Sequence, residues 1–203
     1  MSDIRLFFSE SLSQNLKSKL NKSQSHYLTK VMRIKAGENF SLFNSSGEWS
    51  AKITEISKGI AEFNVIEQLR QKDNTKEIWL AFSPIKSNYL NFMIQKATEL
   101  GVTRFIPIIF DRTIVRKINK ERLEKIIIEA TEQSNRINIP TIEKPQNLKN
   151  FLSNNSKKID LVFTDLNTTN KKLEVSKEAY KPLCAIVGPE GDFSEKVREL
   201  ILN

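Results

Sequence analysis

A chain of 203 residues, 39% hydrophobic and 28% charged, can bury one sizeable core or two smaller ones. It holds no apolar run of about 18 residues, and Met1–Phe8 lacks a basic segment leading into an apolar stretch, so neither a membrane-spanning helix nor a secretory signal is expected. The single cysteine, Cys184, excludes an internal disulfide framework and a cysteine-based zinc site, and makes a reducing cytoplasm the default location.

The net charge of +8 favours a polyanionic partner such as nucleic acid, although lysine-rich, AT-biased coding would give the same total. Up to residue 72 there are 11 basic and 7 acidic residues, and beyond it 21 and 17. Each part therefore carries +4, and the excess is spread over the chain instead of gathered in a tail.

In chain order, Leu12–Leu20 and Ser25–Met32 have the spacing of short helices. Phe40–Phe43 and Glu48–Ile56 then flank the turn Asn44-Ser45-Ser46-Gly47 as a hairpin, and Ile60–Ile66 follows Lys58-Gly59 as a third strand. The polar segment Arg70–Lys76 reads as a linker.

Beyond the linker the rhythm changes. Ile78–Phe82, Phe105–Phe110, Ile159–Phe163 and Leu183–Val187 are continuous apolar runs, as buried strands require. Between them, Leu90, Met93, Ile94 and Ala97 fall at helical spacing before a stop at Gly101. Leu123, Ile126, Ile127, Ala130 and Ser134 mark a longer helix that ends before Pro140. Ser194 is placed to cap a last helix over 194–202. Alternating strands and helices predict a parallel α/β sheet with helices on both faces, preceded by a small β-rich domain.

The loop Gly188-Pro189-Glu190-Gly191-Asp192-Phe193-Ser194 joins an apolar strand to a capped helix. Ligands of such sheets bind at the carboxyl ends of strands, and glycines let backbone come close to a ring or carboxylate. A plain strand-to-helix turn is the alternative. The spacing matches neither a dinucleotide fingerprint nor a phosphate loop. Two helical segments, Ile94–Val102 and Glu129–Arg136, carry clusters of polar residues that a solvated face or a helix terminus would also explain.

Taken together, these segments resemble the bacterial 16S rRNA uridine-N3 methyltransferase family of the knotted SPOUT class. The matching residues are His26-Tyr27-Leu28, Val31-Met32-Arg33, Gln95–Val102, Glu129-Ala130, Glu132-Gln133-Ser134, Arg136, Pro140, Gly188–Gly191 and Phe193-Ser194. They cover essentially the whole chain in order. The resemblance implies a PUA-like RNA-binding domain at 1–72 and a SPOUT methyltransferase domain at 73–203, acting as a homodimer on small-subunit rRNA. It also implies that the C-terminal segment threading the family's trefoil knot lies beyond Asn203. Asp192 departs from the pattern, because many members carry a glycine there.

By the same resemblance, S-adenosylmethionine is the methyl donor, cradled by Thr164, Asp165 and Leu166 and by Gly188, Pro189, Glu190 and Gly191, with no metal. Arg33, Lys96 and Arg136 are candidate RNA contacts, and Glu132 or Glu190 a candidate proton acceptor, with Arg136 stabilising the uridine anion. Methylation at N3 requires loss of the imide proton, hence a base or an electropositive site. The lone His26 excludes a histidine metal cluster, and Phe8 or Trp49 could stack on bases or simply pack. Two other readings stand beside this one: a non-catalytic RNA-binding protein of the same fold, and a ribose 2′-O-methyltransferase of the same class.

Overall fold

The computed structural model describes residues 4–72, 76–164 and 181–202. The chain forms two compact units. The first takes Met1–Asn74 together with Thr131–Ile139, and the second takes Thr75–Ala130 together with Pro140–Asn203.

In the first unit β1 (Arg5–Phe7), β2 (Lys17–Lys19), β3 (Asn39–Asn44), β4 (Gly47–Ser57) and β5 (Ile60–Arg70) form one sheet in the order β1-β3-β4-β5-β2. β1 runs parallel to β3, and the other neighbours are antiparallel. Both hairpin turns follow from local chemistry. Asn44 Oδ1 accepts the Ser46 amide at 2.9 Å, and Gly47 sits at φ +129°, where a Cβ would collide with the Arg70 carbonyl. Lys58 and Gly59 both take positive φ, as a two-residue turn between twisted strands requires. Alternation then places Ala51 and Ile53 of β4 and Ala61, Phe63 and Val65 of β5 in the core, with Phe8 and Phe40 edge-on to Phe63.

The helix expected over Leu12–Leu20 does not form. Leu12, Leu16 and Leu20 mimic helical spacing, but Asn15 adopts φ +65° and the backbone pairs along β5: Asn15 N donates to Val65 O, Val65 N to Leu16 O, and Leu20 N to Ala61 O. An open sheet edge supplied better partners than a local helix. The second helix starts early, as α1 (Lys22–His26), because Asn21 Oδ1 caps the Gln24 amide at 2.9 Å. It then widens into a π-helical turn over Tyr27–Val31. The expected linker begins later than Arg70, which lies inside β5.

In the second unit β6 (Ile78–Phe82), β7 (Arg104–Ile109), β8 (Thr141–Ile142), β10 (Asp160–Phe163) and β11 (Leu183–Val187) align in the order β10-β11-β6-β7-β8, and the short β9 (Gln146–Asn147) pairs with β7. Every pairing is parallel, as the continuous apolar runs predicted. The helices are α2 (Ser87–Glu99), α3 (Lys120–Gln133), α4 (Leu148–Asn155) and α5 (Glu195–Leu202). Helix α2 buries Leu90, Ile94 and Thr98 and stops at Gly101, whose φ of +108° a side chain would resist. The sequence reading did not foresee α4, although Asn147 caps it by accepting the Asn150 amide at 2.8 Å. The core gathers Trp79, Ala81, Ile106, Ile108, Phe151, Cys184 and Ile186. The knot implied by the resemblance falls on residues beyond those described.

Candidate active site

The strand order of the second sheet reverses between β6 and β11. Strand β6 leads to β7 on one side, while β11 returns on the other. Open α/β sheets hold ligands outside the carboxyl ends of strands at such a point.

Three loops meet there. After β6, the Ser83 amide donates to the Val187 carbonyl at 3.0 Å, tying that loop to β11. After β7, Thr113 Oγ1 accepts the Phe110 amide at 2.8 Å and lies 2.9 Å from the Ser83 hydroxyl, and both hydroxyl residues are buried. After β11 comes the glycine loop. The Pro189 carbonyl accepts from the Asp192 amide at 3.0 Å, and Asp192 stands at φ +64° with its Oδ1 accepting from the Phe193 amide at 2.7 Å.

That loop is fastened from both sides. Arg112 Nη1 donates to the Gly191 carbonyl at 2.9 Å, and Arg198 pairs with Asp192 Oδ2 at 2.6 Å. Ser194 Oγ donates to Asp111 Oδ2 at 3.1 Å and also accepts from the Val197 amide at the start of α5, as its cap position predicted. Beneath the loop the buried Phe193 ring meets Phe110 and Phe163 edge-on, with centroids 5.4 and 4.8 Å apart. A Cβ on Gly188 would stand 2.7 Å from that ring. At Gly191 the space is open, and the nearest atom to an added Cβ would be Arg112 Cδ at 4.0 Å. One glycine is thus required for packing, and the other leaves backbone accessible.

Pro84, Ile85 and Ile114 form apolar walls of a narrow recess of about 20 Å³, partly open to solvent, with Lys86, Arg112 and Glu190 also lining it. Of the residues predicted to cradle a cofactor, Gly188, Pro189, Glu190 and Gly191 therefore share one loop at the sheet edge, and Pro189 and Glu190 border the recess. Thr164 follows β10 and donates through Oγ1 to the Ile186 carbonyl at 2.8 Å, which ties the end of β10 to β11. Asp165 and Leu166 lie outside the described residues.

Glu132 and Arg136 belong to the segment grouped with the first unit. Glu132 Oε1 accepts the Phe7 amide at 2.9 Å, so at least one carboxylate oxygen serves the fold. Arg136 is half-buried, and burial lowers the pKa of its guanidinium. Arg33 is exposed at φ +58°, directly after the π-helical turn, beside exposed Met32. Lys96 pairs with Glu99 at 2.8 Å on α2, which matches the solvated-face reading as well as an RNA contact. Phe8 is buried in the core, so it offers no stacking face, whereas Trp49 is half-buried against that core with Nε1 donating to Ser46 Oγ.

Sequence reasoning missed Asp111, Arg112 and Arg198. The first two directly follow the carboxyl end of an apolar strand, the position the edge rule marks, and that signal was available. Among the described residues, no group of three metal-ligating side chains converges.

Two family models match the chain. Residues 72–203 match the family model of an RNA methyltransferase domain, and residues 20–66 match that of an RNA methyltransferase PUA domain. The chain is 34% identical to ribosomal RNA small subunit methyltransferase E of Rickettsia conorii over 98% of its own length and 83% of the relative's. It is 32% identical to the protein of that name from Buchnera aphidicola, over 97% and 81% of the two chains. Among solved structures it is similar to a ribosomal RNA small subunit methyltransferase E from Neisseria gonorrhoeae bound to S-adenosyl methionine. The TM-score is 0.89 at 26% identity, with 98% of this chain and 84% of the other covered.

Proposed function

The chain belongs to the RNA methyltransferase family of the ribosomal RNA small subunit methyltransferases E, and from that premise we propose that it transfers a methyl group from S-adenosylmethionine to N3 of a uridine in 16S rRNA. The observation that carries this reading is the glycine loop at the sheet edge, held by Arg112 on one side and Arg198 on the other.

The residues present fit the cofactor. Gly188 leaves no room for a side chain over Phe193, and Gly191 leaves its backbone open to a ligand. Thr164, Asp165 and Leu166 with Gly188, Pro189, Glu190 and Gly191 would hold it. The cofactor supplies a methyl group on a sulfonium, already activated for transfer, so the protein's share of the work is alignment and proton removal. The N3 edge is engaged in a paired duplex, so the target must be unpaired or turned out of its stack.

Glu190, on the lip of the recess, accepts the imide proton, and Lys86 and Arg112 on the same recess favour the uridine anion that results. Glu132 is the weaker base because Phe7 already engages its carboxylate. Arg136, Arg33 and Lys96 bind the RNA backbone, and phosphate contacts of this kind set register without reading sequence. A second copy of the chain is the expected partner: Tyr89 and Phe92 stand 65% and 63% exposed on α2, opposite its buried face. The cytoplasm, where ribosomal subunits assemble, is the expected place.

The test is mass-spectrometric mapping of 16S rRNA from a strain lacking the gene, before and after complementation. Loss and recovery of 3-methyluridine is the expected result. Unchanged 3-methyluridine, or a missing ribose methylation in its place, would overturn the reading. Glu190→Gln should lower kcat by roughly a hundredfold or more if it is the base.

A further inference from the structure

We propose that Glu48 is a positioning residue for RNA methylation, because it fixes the two arginines that hold the turn bearing Glu132 and Arg136. All the groups concerned lie in the first unit.

The sequence sets up the problem. Helix α3 ends at Gln133, Asn135 takes φ +59°, and the Arg136 amide turns back to the Thr131 carbonyl at 3.3 Å. A helix end leaves its last carbonyls without partners in the helix. Here the Arg5 guanidinium takes two of them, and the Arg70 guanidinium holds the turn just beyond the helix. Arg5 donates through Nη1 to the carbonyls of Glu132 at 2.9 Å and Thr131 at 3.4 Å, and through Nη2 to that of Arg136 at 3.0 Å. Arg70 Nη2 donates to the carbonyl and Oδ1 of Asn135 at 2.9 and 3.1 Å.

Both arginines are aimed by one carboxylate. Arg5 Nε lies 2.9 Å from Glu48 Oε1, and Arg70 Nε lies 2.8 Å from Glu48 Oε2. Glu48 is only 5% exposed, and Arg5 also lies over the Phe43 ring at 4.6 Å. Such a buried ionic cluster adds little stability over a well-packed apolar one of the same volume. What it adds is direction, because planar guanidinium forks bonded on two edges have almost no freedom left. Phe7, on the same strand as Arg5, completes the frame by donating its amide to Glu132 Oε1 at 2.9 Å. The backbone of residues 131–136 is therefore located by β1, β4 and β5 together, and Glu48 is the point at which their charges meet.

The inference rests on the reading that Arg136 contacts RNA, and a double-mutant cycle separates the two. Glu48→Gln, Arg136→Ala and the double variant are assayed for kcat and KM toward the small ribosomal subunit, and for S-adenosylmethionine affinity by calorimetry. Arg136→Ala should raise KM for RNA by roughly tenfold, as loss of one charge-assisted contact does. Glu48→Gln should raise it in the same direction with kcat and cofactor affinity unchanged, and the double variant should be no worse than Arg136→Ala. Defects that multiply in the double variant, or an unchanged KM in Glu48→Gln, overturn the proposal. An unchanged KM in Arg136→Ala overturns the RNA reading itself and the proposal with it. If Glu48→Gln does not fold, Arg70→Lys keeps the charge but loses the fork, and the same cycle applies with a smaller first step.

Discussion

Gly188 and Phe193 cannot both keep their places if either grows: a Cβ on the glycine would lie 2.7 Å from the ring's Cζ, inside any normal contact distance. The ring cannot retreat easily, since Phe110 and Phe163 flank it. Gly188→Ala should therefore destabilise the protein by roughly 1–3 kcal/mol, the usual cost of overpacking a filled core. It should also weaken S-adenosylmethionine binding at least tenfold. Thermal melting and calorimetry check the two effects, and an unchanged melting temperature would mean that Phe193 swings aside freely.

Asp192 holds a left-handed backbone that suits glycine, yet its carboxylate caps the Phe193 amide and pairs with Arg198. Two opposed contributions meet at one residue. Asp192→Gly loses the polar ties and gains backbone ease, whereas Asp192→Ala loses the ties and keeps the strain, which is roughly 1–2 kcal/mol for a side chain in this conformation. The alanine variant should melt lowest of the three proteins. An alanine variant as stable as the glycine variant would show that the loop changes conformation when its ties are cut.

The second unit was largely legible in the sequence because its strands are buried on both faces, and unbroken runs such as Ile78–Phe82 and Leu183–Val187 leave little ambiguity. The first unit was harder. Leu12, Leu16 and Leu20 keep helical spacing, but what decides their conformation is the free edge of β5, more than forty residues further on. Strand β1 is only three residues long, and its pairing with β3 is equally non-local. Short elements that depend on distant partners carry too little period to be read.

The site was legible in part for the same reason. The glycine loop announces itself through local composition, and its place at the sheet edge follows from the strand before it. Its fasteners do not: Arg112 reaches Gly191 across 79 positions, and Ser194 reaches Asp111 across 83. A lone arginine in a lysine-rich chain looks like any other surface charge until the fold brings its acceptor near.

Cys184 sits fully buried in the middle of the parallel sheet, and burial pushes its thiol up to about 12. The thiolate is the reactive form, so almost none is available at neutral pH. Thiol-directed reagents should leave the folded protein unmodified and label one cysteine per chain only after denaturation. Intact-mass spectrometry in native and denaturing buffer reads this directly. Rapid labelling in native buffer would mean that β11 opens on the timescale of the reaction.

Burial by itself would raise the Glu48 carboxyl, but hydrogen bonds and charge from Arg5 and Arg70 outweigh it, and the group titrates below its ordinary 4.5. A carboxylate whose folded pKa is depressed contributes stability that is fully present above the unfolded value and is lost as pH falls through the folded one. Acid should therefore erode the native protein from about pH 5 downward, as the Arg5–Glu48–Arg70 cluster loses its centre. Glu48→Gln lacks that titration, so its stability deficit against the native protein should be largest near neutrality and shrink as pH is lowered. Glu99, whose carboxyl is also lowered, chiefly by its hydrogen bond from Lys96, is common to both proteins and cancels in the difference. Denaturant melts at a series of pH values give the comparison, and parallel curves down to about pH 3 would show that the two arginines hold their carbonyls without help from Glu48.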